Sequence, residues 1–183
     1  IWLITHEGGQ KITDKDHQLA EAIDKVYGDD APQGEKAPDP GAHPDKVKLF
    51  GDGGSRGNPG PSASGYVVLD MEDNVLVDKG VYLGVTTNNQ AEYTALKLGL
   101  EECQKMGVKE VQVYMDSLLV VNQMKGIFKI KNRDLFPIHE NIKELAKKFE
   151  KISYSHVPRE FNKLADAAVN RALDDHLGIA RDQ

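Results

Sequence analysis

Three β-rich runs, Val47 to Gly53, Gly65 to Met71 and Val75 to Leu83, follow one another with no helical spacing between them. That ordering restricts the topology more than any other feature of the chain. The second and third runs are joined by Glu72-Asp73-Asn74, which reads as a hairpin turn and forces antiparallel pairing. From Asn88 to Met106 the spacing becomes helical and stops at Gly107, a C-terminal cap. Val111 to Met115 reads as a fourth strand, followed by helices from Ser117 to Lys125 and from Asp134 to Glu150. A short strand, Ile152 to Val157, and a last helix, Asn162 to Leu173, complete the pattern. Strands that return through helices pair in parallel. The order βββαβααβα therefore predicts an α/β fold: a five-stranded mixed sheet, an antiparallel meander plus parallel strands, flanked by helices.

This pattern begins only after a segment of different character. Asp29 to Lys46 holds four of the eight prolines and no aromatic or β-branched residue, so it reads as a linker, residues 29–46. Before it, residues 1–28 form an N-terminal extension of unassigned role. Ile1 to Thr5 is a candidate strand, and Thr13 or Asp14 a candidate cap for a helix running to about Tyr27. A piece this short cannot fold alone, so it docks on something or belongs to a larger parent. The main domain is expected over 47–174, with a tail at 175–183.

The charge of −6 divides unevenly. Residues 1–46 carry 5 basic and 10 acidic side chains, whereas 47–183 carry 18 and 19. The body is almost neutral, and Met124 to Lys151 even holds eight Lys/Arg against four Asp/Glu. A local basic cluster of that kind is compatible with a polyanionic partner. The single Cys103 excludes an internal disulfide and suits a reducing compartment. No apolar run is long enough to span a membrane. The expectation is a cytoplasmic protein with no membrane partner; the sequence fixes no oligomeric state, and a monomer is the default.

Four carboxylates stand among apolar residues, where charge is rare unless compensated. Asp52 follows Phe50 on one strand face, and Glu92 shares a helical stripe with Ala95, Leu96, Gly99 and Cys103. Asp116 ends the Val111–Met115 strand, and Asp166 lies among Ala165, Ala167, Val169 and Leu173. Each has a local explanation. Asp52 can serve a turn, Glu92 a helix dipole, Asp116 a helix N-cap, and Asp166 a pairing with Lys163 or Asn170. If all four converge, cations must offset their repulsion. Hard oxygen donors without Cys or paired His point to Mg²⁺ or Mn²⁺.

Four segments, Phe50-Gly-Asp-Gly-Gly-Ser-Arg-Gly-Asn-Pro-Gly60, Thr86-Thr-Asn-Asn-Gln-Ala-Glu92, Val113-Tyr-Met-Asp-Ser117 and His156-Val-Pro-Arg-Glu-Phe-Asn-Lys-Leu-Ala-Asp166, occur in this order. Together they resemble type 1 ribonuclease H in its compact form, over roughly residues 47–174. The resemblance implies a ribonuclease H-like fold and metal-dependent cleavage of the RNA strand in an RNA–DNA hybrid, leaving 3′-hydroxyl and 5′-phosphate ends. It implies two Mg²⁺ ions, Mn²⁺ being an alternative. Asp52 would bridge them, with Glu92 and Asp116 on one ion and Asp166 on the other. Gly53, Asn58, Asn88 and Asn89 match substrate-contacting positions, the asparagines on the minor groove; Asn88 reads equally well as a helix cap. Thr87 and Asn132 match a pocket for a DNA phosphate, where Asn132 sits in the basic run Lys125, Lys129, Lys131 and Arg133.

The chain departs from the family in two places. Longer members insert a basic helix and loop between Gln123 and Leu135, which this chain lacks, and Phe128 stands where Trp is usual. Many members also carry a loop histidine before the last acidic residue. His156 alternates within a strand here, so Arg159 is the better candidate to assist product release. His139 and Cys103 read as structural. Another nuclease on the same scaffold, or a non-enzymatic domain such as the tail of a reverse transcriptase, remains an alternative reading.

Overall fold

In a computed structural model, residues 43–179 are described; they fall in the second of the two units into which the chain divides, His43–Gln183. The expected strand at Ile1–Thr5, the helix before Tyr27 and most of the 29–46 linker lie outside the described residues.

Five strands form one sheet: β1 Lys46–Ser55, β2 Gly60–Leu69, β3 Val75–Thr86, β4 Glu110–Met115 and β5 Lys151–His156. Their order is β3-β2-β1-β4-β5. β2 pairs antiparallel with both β1 and β3, while β4 pairs parallel with β1 and β5. The mixed sheet expected from the element order is what forms, because the β2–β3 turn is short and each parallel return passes through a helix. Asp70 closes that turn by accepting from the backbone N–H groups of Glu72 and Asn74, both at 2.9 Å.

Four α-helices flank the sheet: α1 Asn88–Lys105, α2 Leu118–Met124, α3 Phe136–Ala146 and α4 Lys163–Leu177. Tyr93, Leu96, Leu100 and Cys103 of α1 pack on Val47 and Leu49 of β1 and on Val111 and Val113 of β4, with Ile142 of α3 completing the cluster. A smaller cluster of Ala63, Val169 and Leu173 joins α4 to β2. Leu100 is fully buried among these side chains. Leu100→Ala is expected to cost about 3 kcal/mol, read as a lowered midpoint in urea unfolding.

Two close approaches set the positions of α1 and α4. A Cβ on Gly53 would lie 2.1 Å from the Glu92 backbone nitrogen, so β1 touches the start of α1 directly. A Cβ on Gly65 would lie 2.4 Å from the Ala165 carbonyl oxygen, so α4 rests on the bare backbone of β2.

The structure shifts several expected boundaries. β2 begins at Gly60 rather than Gly65, although Gly60-Pro-Ser-Ala-Ser has little strand propensity. Small residues are needed there under α4, and the buried hydroxyls are satisfied: Ser64 Oγ donates to the Ala91 carbonyl at 2.7 Å. β3 runs on to Thr86 rather than stopping at Leu83. The helix expected over Asp134–Glu150 is a 3₁₀ turn, Arg133–Leu135, followed by the shorter α3. It stops at Ala146 because Phe149 turns into the core and the Glu150 N–H bonds to the Lys109 carbonyl at 2.9 Å. α4 continues past Leu173 to Leu177, where Gly178 adopts a left-handed conformation. The expected tail at 175–183 therefore begins inside a helix.

Candidate active site

Asp52 sits near the C-terminal end of β1, and Asp116 follows the last residue of the neighbouring parallel strand β4. The crevice beyond strand ends is where sheets of this kind place ligands. Glu92 comes from α1, brought close by the missing side chain of Gly53. One carboxylate oxygen from each of Asp52, Glu92 and Asp116 lies within 4.8 Å of the others. Asp166, on α4, stands outside that trio but lines the same cavity of about 380 Å³.

The local explanations for these acids fare differently. Ser117, not Asp116, caps α2, its Oγ accepting from the Val120 N–H at 3.3 Å. Glu92 is the fifth residue of α1, beyond the first turn, so the helix dipole explains it poorly. Asp166 does pair with Asn170, whose Nδ2 lies 3.3 Å from its Oδ2, and it also bonds to Arg159 at 3.3 Å.

Burial makes the trio unfavourable on its own. Asp52 and Glu92 are 7% and 6% exposed. Desolvation, with the nearby Asp116 and Asp166, pushes the Asp52 carboxyl up to about 7, against the opposing bond from the Gly53 N–H and the charge of Arg159. Glu92 is driven well above its ordinary range, first by burial and then by Asp52 and Asp116. Its Oε2 is buried without a hydrogen-bond partner. A buried carboxylate with one orphaned oxygen, grouped with two other acids, fits a hard divalent cation, with all donors oxygen.

The comparisons point the same way. A family model described as Reverse transcriptase-like matches residues 50–172. Ribonuclease HI of Halobacterium salinarum is 40% identical over 130 residues, covering 71% of this chain and 65% of the relative. The crystal structure of that organism's RNase H1 superposes with a TM-score of 0.70, covering 71% of this chain and 98% of that one. The chain belongs to the type 1 ribonuclease H family.

Within the family it is also similar to LC11-RNase H1, solved in complex with an RNA/DNA hybrid, at 40% identity and a TM-score of 0.69, over 72% of this chain and 99% of that one. A bifunctional protein of Mycobacterium tuberculosis is 45% identical over 130 residues, 70% of this chain. The chain spans only 36% of the length of that relative.

Of the remaining ribonuclease H motif residues, Gly53, Asn88, Asn89, Asn132 and Arg159 line one of two cavities, and Asn58 and Thr87 line neither. Gly53, Asn88 and Arg159 line the carboxylate cavity. Asn58 fixes the start of α1 from the β1–β2 turn, its Oδ1 accepting from the Asn88 N–H at 3.1 Å. Asn89 and Asn132 line a second cavity of about 570 Å³, with Phe128, Lys129 and Lys131. Gln90 ties α1 to the 3₁₀ turn after Asn132, its Nε2 donating to the Asp134 carbonyl at 2.9 Å. The cap of α1 is Thr87 and not Asn88: Thr87 Oγ1 accepts from the Gln90 N–H at 3.2 Å. Asn132 likewise caps its 3₁₀ turn, accepting from the Asp134 N–H at 2.9 Å. Thr87→Ala should cost about 1 kcal/mol of stability from the cap alone, measurable by denaturant unfolding.

Three further polar side chains line the carboxylate cavity that the motif reading passed over in assigning roles: Ser55, Arg56 and Asn170. Asn170 follows Asp166 by one helical turn, a spacing visible in sequence. His156 ends β5 exposed and is not among the cavity residues, while Arg159 is. Cys103 is fully buried, its thiol pushed up to about 12 by desolvation. His139 packs edge-on against the Tyr93 ring. Among the described residues, no helix is long and apolar enough to cross a membrane.

Proposed function

We propose that the chain is an endoribonuclease that hydrolyses the RNA strand of RNA–DNA hybrids, leaving 3′-hydroxyl and 5′-phosphate ends, as a cytoplasmic monomer. The observation that carries this reading is the convergence of Asp52, Glu92 and Asp116, with a buried oxygen of Glu92 lacking any partner. These three and Asp166 are the residues that would hold two Mg²⁺ ions, or Mn²⁺ in their place. When bound, such ions activate water and stabilise the leaving oxygen of a phosphodiester.

The chain's own groups then account for substrate choice. A hybrid displays 2′-hydroxyls and base edges in a wide minor groove. Asn58, Asn88 and Asn89 both donate and accept there, and Gly53 lets the backbone approach. Thr87 and Asn132 hold a phosphate of the DNA strand beside Lys129 and Lys131. Arg159, on the rim of the carboxylate cavity, assists departure of the anionic product. The LC11 relative solved with an RNA/DNA hybrid supports this assignment of substrate.

The test compares an end-labelled RNA–DNA hybrid with double-stranded DNA and double-stranded RNA, with and without added Mg²⁺. Cleavage confined to the RNA strand of the hybrid, and dependent on the ion, is the expected result. Equal cutting of double-stranded DNA would instead place the chain among general nucleases.

A further inference from the structure

The carboxylate cavity is longer than the carboxylates need. It continues along α4 from Asp166 past Val169 and Asn170 to Leu173. Seven residues of helix carry it roughly 10 Å from Asp166, beyond the reach of one phosphate group. At this far end the lining includes Arg56, from the glycine-rich turn between β1 and β2. Its guanidinium pairs with Asp174 on α4, 118 residues away in sequence.

We propose that Arg56 is a substrate-positioning residue that binds a phosphate of the cut strand next to the scissile one, rather than serving merely as a clasp between turn and helix. The inference rests on the nuclease reading above. An ion pair alone explains Arg56 poorly: its side chain is 36% exposed, and exposed pairs contribute little stability. The bond to Asp174 engages one arm of a planar fork with five donors, so the guanidinium stays aimed while keeping donors for a phosphate. A cation is also needed where a polyanion enters a cavity lined by four acids, and Arg159 supplies one at the opposite end, paired with Asp166 and within reach of Asp52. Asp174 orients Arg56 without belonging to the acidic group, and is itself absent from the cavity lining.

The discriminating measurement is the salt dependence of KM for a labelled RNA–DNA hybrid. Losing one phosphate contact lowers the slope of log KM against log salt by about 1. Arg56→Ala is expected to show that loss of slope and a KM raised roughly 3–10-fold at low salt, with kcat nearly unchanged. Arg56→Lys keeps the slope but raises KM, because the charge remains and the fork is lost. Asp174→Asn weakens the clasp by removing its negative charge and keeps the cation, so its slope stays that of the parent. Thermal unfolding of all three variants reads the structural cost separately. An unchanged slope in Arg56→Ala overturns the proposal, as does an equal loss of slope in Asp174→Asn. If the parent chain fails to cut the hybrid, the nuclease reading falls and this inference with it; if the parent cuts and Arg56→Ala keeps its slope, only the inference falls.

Discussion

Asp52→Asn is expected to reduce hybrid cleavage by on the order of 10³-fold or more while leaving the fold intact. Asp52 stands at the centre of the acidic group: it is one of the three residues whose oxygens converge, and its carboxyl feels both Asp116 and Asp166. An amide keeps the shape and the oxygen that accepts from the Gly53 N–H, but removes the charge that would hold a divalent ion. The change therefore separates chemistry from packing. A steady-state cleavage assay gives the rate, and circular dichroism with a melting curve verifies folding. A folded Asp52→Asn protein that cuts the hybrid at the parental rate would end the metal-centred reading.

The second large effect is on stability against pH. The Asp52 carboxyl titrates at about 7 in the folded chain against an ordinary value of 3.8. A raised carboxyl binds its proton more tightly in the folded state, so it stabilises the fold at low pH. That contribution is complete below about 4 and is lost as pH rises to about 7, after which the curve flattens. Glu92, raised for the same reasons, adds to the decline. Without divalent ions, the Asp52 shift alone should cost on the order of 3 kcal/mol between pH 4.5 and 8, a drop of roughly 5–10 °C in melting temperature. Asp70 and Glu140, held below their ordinary values by Asn74 and by Lys143, act in the opposite direction and in the more acidic window. Added Mg²⁺ should recover the loss at pH 8 and do little at pH 5, since only ionised carboxylates attract it. Asp52→Asn should flatten the metal-free curve and melt higher than the parent at pH 8. Scanning calorimetry over pH, with and without Mg²⁺, measures all of this. A melting temperature that stays level from pH 5 to 8 without metal would show that the acids are solvated rather than pressed together.

Much of the acidic group was legible because charge in an apolar stripe has few explanations. Asp52 beside Phe50 and Glu92 in line with Leu96 and Cys103 were conspicuous for that reason. The antiparallel pairing of β2 with β3 was legible too, since the short connection between them, five residues from Asp70 to Asn74 in the structure, leaves one way to pair them. What failed was the detail that only packing decides. Thr87 and Asn88 are both good caps by residue type, and the choice between them depends on where β3 releases the chain. The first half of β2 has the composition of a loop, yet its small residues are what the helix above it requires. The helical spacing after Asp134 continues to Glu150, but burial of Phe149 ends α3 sooner. Arg56 carried no signal of its own, because its partner Asp174 becomes a neighbour only once α4 lies across the sheet.

The bare backbone contacts beneath the two helices bear on how this protein can be engineered. Exchanging glycine for alanine is a common route to greater heat resistance, since it narrows the freedom of the denatured chain. At Gly53 or Gly65 the added methyl would wedge a helix off its bed and pull the clustered acids apart. Gly51, two residues before Gly53, has neighbours no nearer than 3.6 Å to the new carbon. On one strand, two sites of the same residue type, two positions apart, thus separate a harmless improvement from the loss of the acidic cluster.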